Sequence, residues 1–355
     1  MNRLEKTLAL AGIGAGDGIL IHKPSNIFYL SGFTGEGLLA AGNGFQAIIT
    51  DFRYTEQAER QAPGFQVLMV EKGVSHAALA ARLFSDRDVK NVRYEDDKVT
   101  VRAFRRMEKD MPGISFAPLD GAPENARRIK EEKELRLIEA ACDISCRAFE
   151  QILPKIRPGM TEKQLQILLD YAMLDLGADG LAFDTIVASG VNGSLPHAIP
   201  SEKKLETGEM ITLDFGAKKG GYCADMTRTV ALGRPSEDMR RIYDTVLLAQ
   251  ETCEGMLAPG RKCSEIDAEA RRIIDGAGFA GRFGHSLGHG VGIDIHEEPR
   301  LSPSCEDLLE PGHVVTVEPG IYVPGLGGVR IENTCAVTPD GGRTLVHAQK
   351  ALLIV

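Results

Sequence analysis

Hydrophobic positions in the first 120 residues come in short bursts, separated by stretches whose apolar residues recur at helical spacing. The bursts at Gly18–His22, Phe45–Thr50, Phe65–Val70, Asn91–Tyr94 and Ile114–Pro118 have the length and character of strands. The intervening patterns predict helices near 3–11, 55–61, 75–84 and 100–110. Strands alternating with helices predict a compact α/β domain. Asp120-Gly-Ala-Pro-Glu-Asn125 is turn-forming and marks a boundary, giving domains at 1–122 and 123–355.

The pattern then changes. A long helix is expected from Ile129 to Leu153, with Ile138, Ala141, Cys142, Phe149 and Ile152 on its apolar side. A helix from Glu162 to Leu176, a strand through Asp184–Ala188, helices at 237–257 and 265–276 and a last strand ending at Val355 follow. Two hairpins lie among them. One joins Met210–Phe215 to Tyr222–Val230 through Gly220-Gly221; the other joins Val314–Glu318 to Val329–Glu332 through Pro324-Gly-Leu-Gly-Gly328.

The hairpins carry acids where strands should be apolar: Asp214, Asp225, Glu318 and Glu332. A carboxylate in a buried strand is costly unless a cation or dense hydrogen bonding compensates it. Asp214 and Asp225 are symmetric about Lys219/Gly220, and Glu318 and Glu332 about Gly325. Antiparallel pairing would then set each two opposite one another, with Cβ atoms about 5 Å apart. Such pairs repel unless a proton or a metal lies between them. With His289, the four acids form an oxygen and imidazole donor set suited to Mn²⁺, Co²⁺, Fe²⁺ or Zn²⁺. Arg330, two residues before Glu332 and on the same strand face, could orient a ligand carboxylate or bind substrate.

An internal repeat supports a shared site. Gly208-Glu-Met-Ile-Thr-Leu-Asp214 matches Gly312-His-Val-Val-Thr-Val-Glu318 as Gly-x-x-x-Thr-x-acid. Pro158-Gly159 with Thr161-Glu162 matches Pro259-Gly260 with Ser264-Glu265, and both segments open helices with capping signals, Thr161-x-x-Gln164 and Ser264-x-x-Asp267. Residues from about 129 onward therefore read as two copies of a helix–helix–hairpin unit related by a pseudo-two-fold.

Ser194-Leu-Pro-His197, Leu213-Asp-Phe-Gly216, Asp225-Met-Thr-Arg-Thr229, Gly288-His-Gly-Val-Gly292, His296-Glu, Val317-Glu-Pro-Gly320 and Val329-Arg-Ile-Glu332 together resemble the motif set of the pita-bread metallopeptidases. Within that family the chain is most similar to the aminopeptidase P and prolidase branch, and Asp51-Phe-Arg-Tyr54-Thr-Glu-Gln-Ala58 extends the likeness into the first domain. The resemblance implies an α/β N-terminal domain followed by an α+β pita-bread catalytic domain. It implies two divalent ions per subunit, manganese foremost, with Asp225 and Glu332 bridging, Asp214 on one ion, and His289 and Glu318 on the other. It further implies hydrolysis of the bond before proline at the N-terminus of peptides, with Glu318 moving the proton and His296 and His197 steadying the tetrahedral state. His285 would contact substrate, and the assembly would be a homodimer.

The first alternative is a prolidase restricted to Xaa-Pro dipeptides. The second, of another class, is a non-catalytic binding protein on the same fold; loss of ligands would mark it, and none is lost. Composition narrows the partners. A net charge of −9 without a basic cluster argues against nucleic acid and anionic membrane. The N-terminus lacks an apolar signal core and no apolar run is long enough to span a bilayer. Seven cysteines without CxxC spacing point to buried thiols in a reducing, cytoplasmic setting.

Overall fold

The computed structural model describes residues 1–355 as two compact units, Met1–Arg127 and Arg128–Val355. The first is built on a six-stranded mixed sheet of β1 (Asp17–Ile21), β2 (Leu38–Gly42), β3 (Phe45–Thr50), β4 (Gln66–Met69), β5 (Asn91–Tyr94) and β6 (Ser115–Pro118), in the order β4-β3-β2-β1-β5-β6. Helices α1 (Arg3–Leu10), α2 (Pro24–Ser31), α3 (Thr55–Gln61), α4 (His76–Ser85), α5 (Val101–Asp110) and α6 (Ala122–Arg127) complete it. Leu20, Ala40, Ala47, Ile49, Leu83, Phe84, Val92 and Met107 form one buried cluster between sheet and helices.

The expected α/β alternation is present, with three elements added. Strand β2 is Leu-Leu-Ala-Ala-Gly, with no β-branched or aromatic residue to announce it. It is fixed by pairing on both sides, to β1 and β3. Helix α2 opens on Pro24 and ends at Gly32, whose φ of 81° caps it. The stretch read as a turn at 120–125 turns only at Asp120 and Gly121, both at positive φ, and α6 begins at Ala122.

The second unit opens with α7 (Glu132–Ile152) and α8 (Glu162–Asp175). Strands β7 (Gly180–Leu181), β8 (Ile186–Ser189), β9 (Met210–Phe215), β10 (Ala217–Lys219), β11 (Tyr222–Cys223) and β12 (Met226–Ala231) follow. Then come α9 (Glu237–Gly255), α10 (Cys263–Ile274), β13 (Gly288–Gly290), β14 (Glu297–Leu301), β15 (Val314–Val317), β16 (Gly320–Val323), β17 (Gly327–Arg330), β18 (Asn333–Thr338) and β19 (Gly341–Thr344). The predicted repeat is visible as α7-α8-β8-β9-β12 and α9-α10-β13-β15-β18, each a helix pair against a sheet whose middle strand is β9 or β15. Gly208 and Gly312 open those strands at φ of 96° and 94°. Thr161 bridges Lys204 in one copy as Lys262 bridges Leu308 in the other.

Two details differ from expectation. Thr161 and Gln164 form the capping box of α8, but α10 starts two residues early, with Lys262 at its N-cap and no side-chain cap. Ser264 instead donates its backbone N–H to the Cys305 carbonyl, and Asp267 turns to Arg271 and the Leu287 N–H. The last strand reduces to a single bridge between Ile354 and Ala231. No helix is long and apolar enough to cross a membrane.

Candidate metal centre

Between the two copies the backbones are stitched directly. The Glu332 N–H donates to the Thr227 carbonyl at 3.1 Å, and the Thr334 hydroxyl to the Asp225 carbonyl at 2.7 Å. Buried Arg228 donates to the carbonyls of Glu332 and Ala348 and to Asn333 Oδ1. These bonds fix where each hairpin delivers its acids.

The second hairpin has the register read from its sequence. Val317 pairs with Asn333 and Gly320 with Arg330, which sets Glu318 opposite Glu332. The first hairpin does not. Asp214 pairs with Thr227, leaving Asp225 diagonal to it rather than opposite. The reason is the turn: Lys219 pairs with Tyr222, so Gly220-Gly221 alone make the loop, at φ of 56° and 84°. A two-residue loop with both central residues at positive φ matches the strand twist. It moves the symmetry axis half a loop along from Lys219/Gly220, and every partner with it.

His289 sits between Gly288 and Gly290 in β13. A Cβ on Gly288 would strike the Thr316 carbonyl, and one on Gly290 the Glu298 carbonyl at 2.6 Å. The Gly-His-Gly spacing thus lets β13 press between its neighbours and bring the imidazole to the acids. Its Nδ1 lies 3.0 Å from the Gly290 carbonyl, which selects the Nδ1–H tautomer and leaves Nε2 as a donor atom. Nε2 lies 3.4 Å from Asp225 Oδ2 and 3.3 Å from Glu318 Oε1. Burial holds His289 down to about 3, so the ring is neutral.

Ligand atoms of Asp225, His289 and Glu332 lie within 4.8 Å of one another, all three residues buried. Burial, and then the neighbouring carboxylates, push Asp225 and Glu332 well above the usual carboxylate range. Burial likewise pushes Glu318 up to about 8. One oxygen each on Asp214 and Glu332 is buried without a hydrogen-bond partner. Orphaned oxygens among mutually repelling acids, facing a neutral imidazole, fit dications.

A consequence can be measured on chelator-stripped protein. Between pH 4.5 and about 8 the Glu318 carboxyl holds a proton in the folded chain that it lacks when unfolded, and Asp225 and Glu332, raised in the same direction, add to the effect. Folded pKa values raised in this way give stability that is present at low pH and lost as pH rises through that window. The melting temperature of stripped protein should therefore fall from pH 5 to pH 8, and added Mn²⁺ should flatten the slope. A melting curve that is level in the stripped protein would contradict the buried-acid picture.

Around the acids stands a scaffold. Arg330 donates to Asp214 Oδ2 at 2.6 Å, Thr227 Oγ1 at 3.1 Å, the Tyr322 hydroxyl at 2.9 Å and the Pro196 carbonyl at 3.3 Å. Thr227 in turn donates to Glu332 Oε2 at 2.6 Å, and Thr316 to Glu318 Oε1 at 3.0 Å. The guanidinium is thus committed to the protein. His285 is similarly tied, Nδ1 to the Ser286 carbonyl and Nε2 to the Tyr322 hydroxyl, each at 2.8 Å. Tyr322, two residues after Gly320 and not singled out by its sequence, joins His285 to Arg330 through its hydroxyl.

A cleft of about 420 Å³ opens over the acids. Asp214, Asp225, His289, Glu318 and Glu332 line it together with His197, His285, His296 and Arg330, so all the residues singled out from sequence meet there. His296 packs edge-on against His289, ring centroids 4.4 Å apart. Phe183, Ile186, Pro196 and Ile295 supply an apolar side. Arg300 also faces the cleft and was not anticipated; it lies four residues beyond His296 in β14, where only structure brings it to the rim.

Comparison with known proteins agrees with this geometry. Residues 136–339 match the model of metallopeptidase family M24, and residues 2–129 that of the creatinase/prolidase N-terminal domain. The chain is 35% identical to an Xaa-Pro dipeptidase of Pyrococcus furiosus, with 99% of each chain covered. It superposes on a solved Xaa-Pro dipeptidase from Bacillus anthracis with a TM-score of 0.95 at 39% identity, covering both chains completely. It also superposes on an X-Pro aminopeptidase from Thermotoga maritima with a TM-score of 0.91 at 37% identity, covering 98% of this chain and 99% of that one. The fold is therefore pita-bread, and the chain belongs to metallopeptidase family M24 with a creatinase/prolidase N-terminal domain.

Proposed function

We propose that this metallopeptidase is a prolidase-type enzyme that cleaves Xaa-Pro dipeptides. The convergence of Asp225, His289 and Glu332 under a cleft carrying His197, His296 and Glu318 supports the hydrolytic reading. The dipeptide preference departs from the aminopeptidase-first expectation. It is supported by the dipeptidases among its similar proteins and by Arg300, whose half-exposed guanidinium faces the cleft near His296. A dipeptide ends in a carboxylate directly after proline, and an arginine at the rim is a suitable partner for it.

Asp214, Asp225, His289, Glu318 and Glu332 would hold two dications, Mn²⁺ first among the candidates. Bound there, dications acidify water and polarise the scissile carbonyl. Glu318, which lines the cleft beside His289, takes the proton from the attacking water and delivers it to the proline nitrogen. His296 and His197 donate to the oxyanion as it forms. Arg330 holds Asp214 in place and leaves catalysis to others. The tertiary amide of an Xaa-Pro bond offers no N–H, so recognition falls to the apolar wall of Phe183, Ile186 and Ile295 and to the charged ends of the substrate.

The deciding assay is a length series, Ala-Pro against Ala-Pro-Gly and a tetrapeptide, in Mn²⁺, Co²⁺ and Zn²⁺ after chelation. Ala-Pro should lead by at least about tenfold, with activity lost on chelation and best restored by Mn²⁺. Longer peptides turned over equally well would return the aminopeptidase reading. We also propose a homodimer, the common assembly of the enzymes this chain resembles. Sedimentation at micromolar concentration should give twice the chain mass of 38.4 kDa; a monomer alone would refute it.

A further inference from the structure

Two of the seven thiols lie far apart in sequence yet meet in the fold. Cys263 is the first residue of α10 and fully buried; Cys305 lies half-buried in the segment between β14 and β15. Backbone bonds hold the two strands of chain together. The Cys263 N–H donates to the Asp307 carbonyl at 3.0 Å, Ser264 to the Cys305 carbonyl at 3.1 Å, and Leu309 to the Arg261 carbonyl at 2.8 Å. The Ser264 bond to the Cys305 carbonyl brings Cys305 beside the first turn of α10, where its thiol is among the groups that act on the Cys263 thiol. Cys146, Cys223, Cys253 and Cys335 are bonded to backbone groups instead.

The seam they occupy matters to the centre. Asp267 and Arg271 of α10 hold the chain that leads into His289, through the Leu287 N–H and the carbonyls of Phe283 and His285. The segment bearing Cys305 leads in turn to β15 and Glu318. We propose that Cys263 and Cys305 are a redox-active pair that closes to an intramolecular disulfide under oxidising conditions, stapling α10 to the chain that feeds β15. The oxidant is a small-molecule disulfide. The Cys305 thiolate, the more accessible, attacks one of its sulfurs and expels one thiol, leaving a mixed disulfide. The Cys263 thiolate then attacks the Cys305 sulfur and expels the second thiol. Two protein thiols are oxidised by two electrons, one disulfide is reduced to two thiols, and the protons pass to the departing thiolates. Burial, followed by the neighbouring Cys305, pushes Cys263 up to about 12, which makes the closing step the slow one. Ordinary aerobic handling would leave the pair reduced, and sustained oxidant would close it.

The test incubates full-length, Mn²⁺-loaded protein with oxidised glutathione over hours, then blocks free thiols and maps peptides without reduction. The expected product is a Cys263–Cys305 cross-linked peptide, removed by dithiothreitol, together with a rise in melting temperature of several degrees. Cys305→Ser and Cys263→Ala should each abolish both the cross-link and the rise. Cys305 is the half-exposed member, so its variant keeps the test valid if the buried substitution impairs folding. Arrest at the glutathione adduct of Cys305, a cross-link between other cysteines, or a melting rise that persists in Cys305→Ser would each overturn the assignment.

Discussion

Asp225→Asn should remove nearly all hydrolysis of Xaa-Pro peptides while making the metal-stripped protein more stable. The two effects have one origin. Asp225 is buried beside Glu332, Asp214 and Glu318, and its charge is tolerable only if dications neutralise it. An amide keeps the shape and discards the charge, so folding without ions gains. The ions would then lose one of the carboxylates proposed to hold them, and several kcal/mol of transition-state stabilisation would go with it, about a thousandfold in kcat/KM. Metal analysis should show at most one ion per chain. The paired readout matters because a merely damaged fold would lose stability as well as activity. Full metal-dependent turnover in the variant would rule out the bridging role.

Arg330→Met should act in the opposite direction on stability. The guanidinium is buried, and four groups depend on its fork: Asp214, Thr227, Tyr322 and the Pro196 carbonyl. Removing one partner of a buried ion pair costs about 3–5 kcal/mol, because Asp214 is left charged and uncompensated. Excess Mn²⁺ should recover part of that loss by taking over Asp214. Activity at saturating Mn²⁺ should remain about 10–100-fold down, the scale seen when a group that orients a metal ligand is lost. Arg330→Lys should rescue little, since an ammonium cannot bond in several fixed directions at once. If kcat changed little and only KM rose, Arg330 would be a substrate contact instead.

Much of this architecture is legible in the chain because its signals are local. The acids announce themselves by interrupting Val/Ile runs, and the shared Gly-x-x-x-Thr-x-acid motif exposes the duplication before any fold is known. The pairing of Glu318 with Glu332 follows from a turn whose centre, Gly325, is unambiguous. The first hairpin shows the limit. Lys219, Gly220 and Gly221 permit two centres, and the choice rests on backbone φ angles that the residue names alone leave open. Strand β2 is invisible for a different reason: its Ala and Leu residues become a strand only because β1 and β3 flank them. Helix α2 could have been found, since Pro24 and Gly32 punctuate it in the usual order. Arg300 reaches the cleft, and the Tyr322 hydroxyl reaches His285 and Arg330, through tertiary placement, and periodicity says nothing of that.

The division of ligands between the copies also bears on how the chain matures. Asp214 and Asp225 come from one copy; His289, Glu318 and Glu332 come from the other. Neither set alone offers a complete cage, and the bonds from Thr227, Arg228 and Thr334 that align them form only once the halves have docked. Ion capture by these five residues would therefore come late in biogenesis, coupled to assembly of the halves. A half-docked nascent chain would hold its dications loosely, so metal scarcity would burden newly made molecules before mature ones.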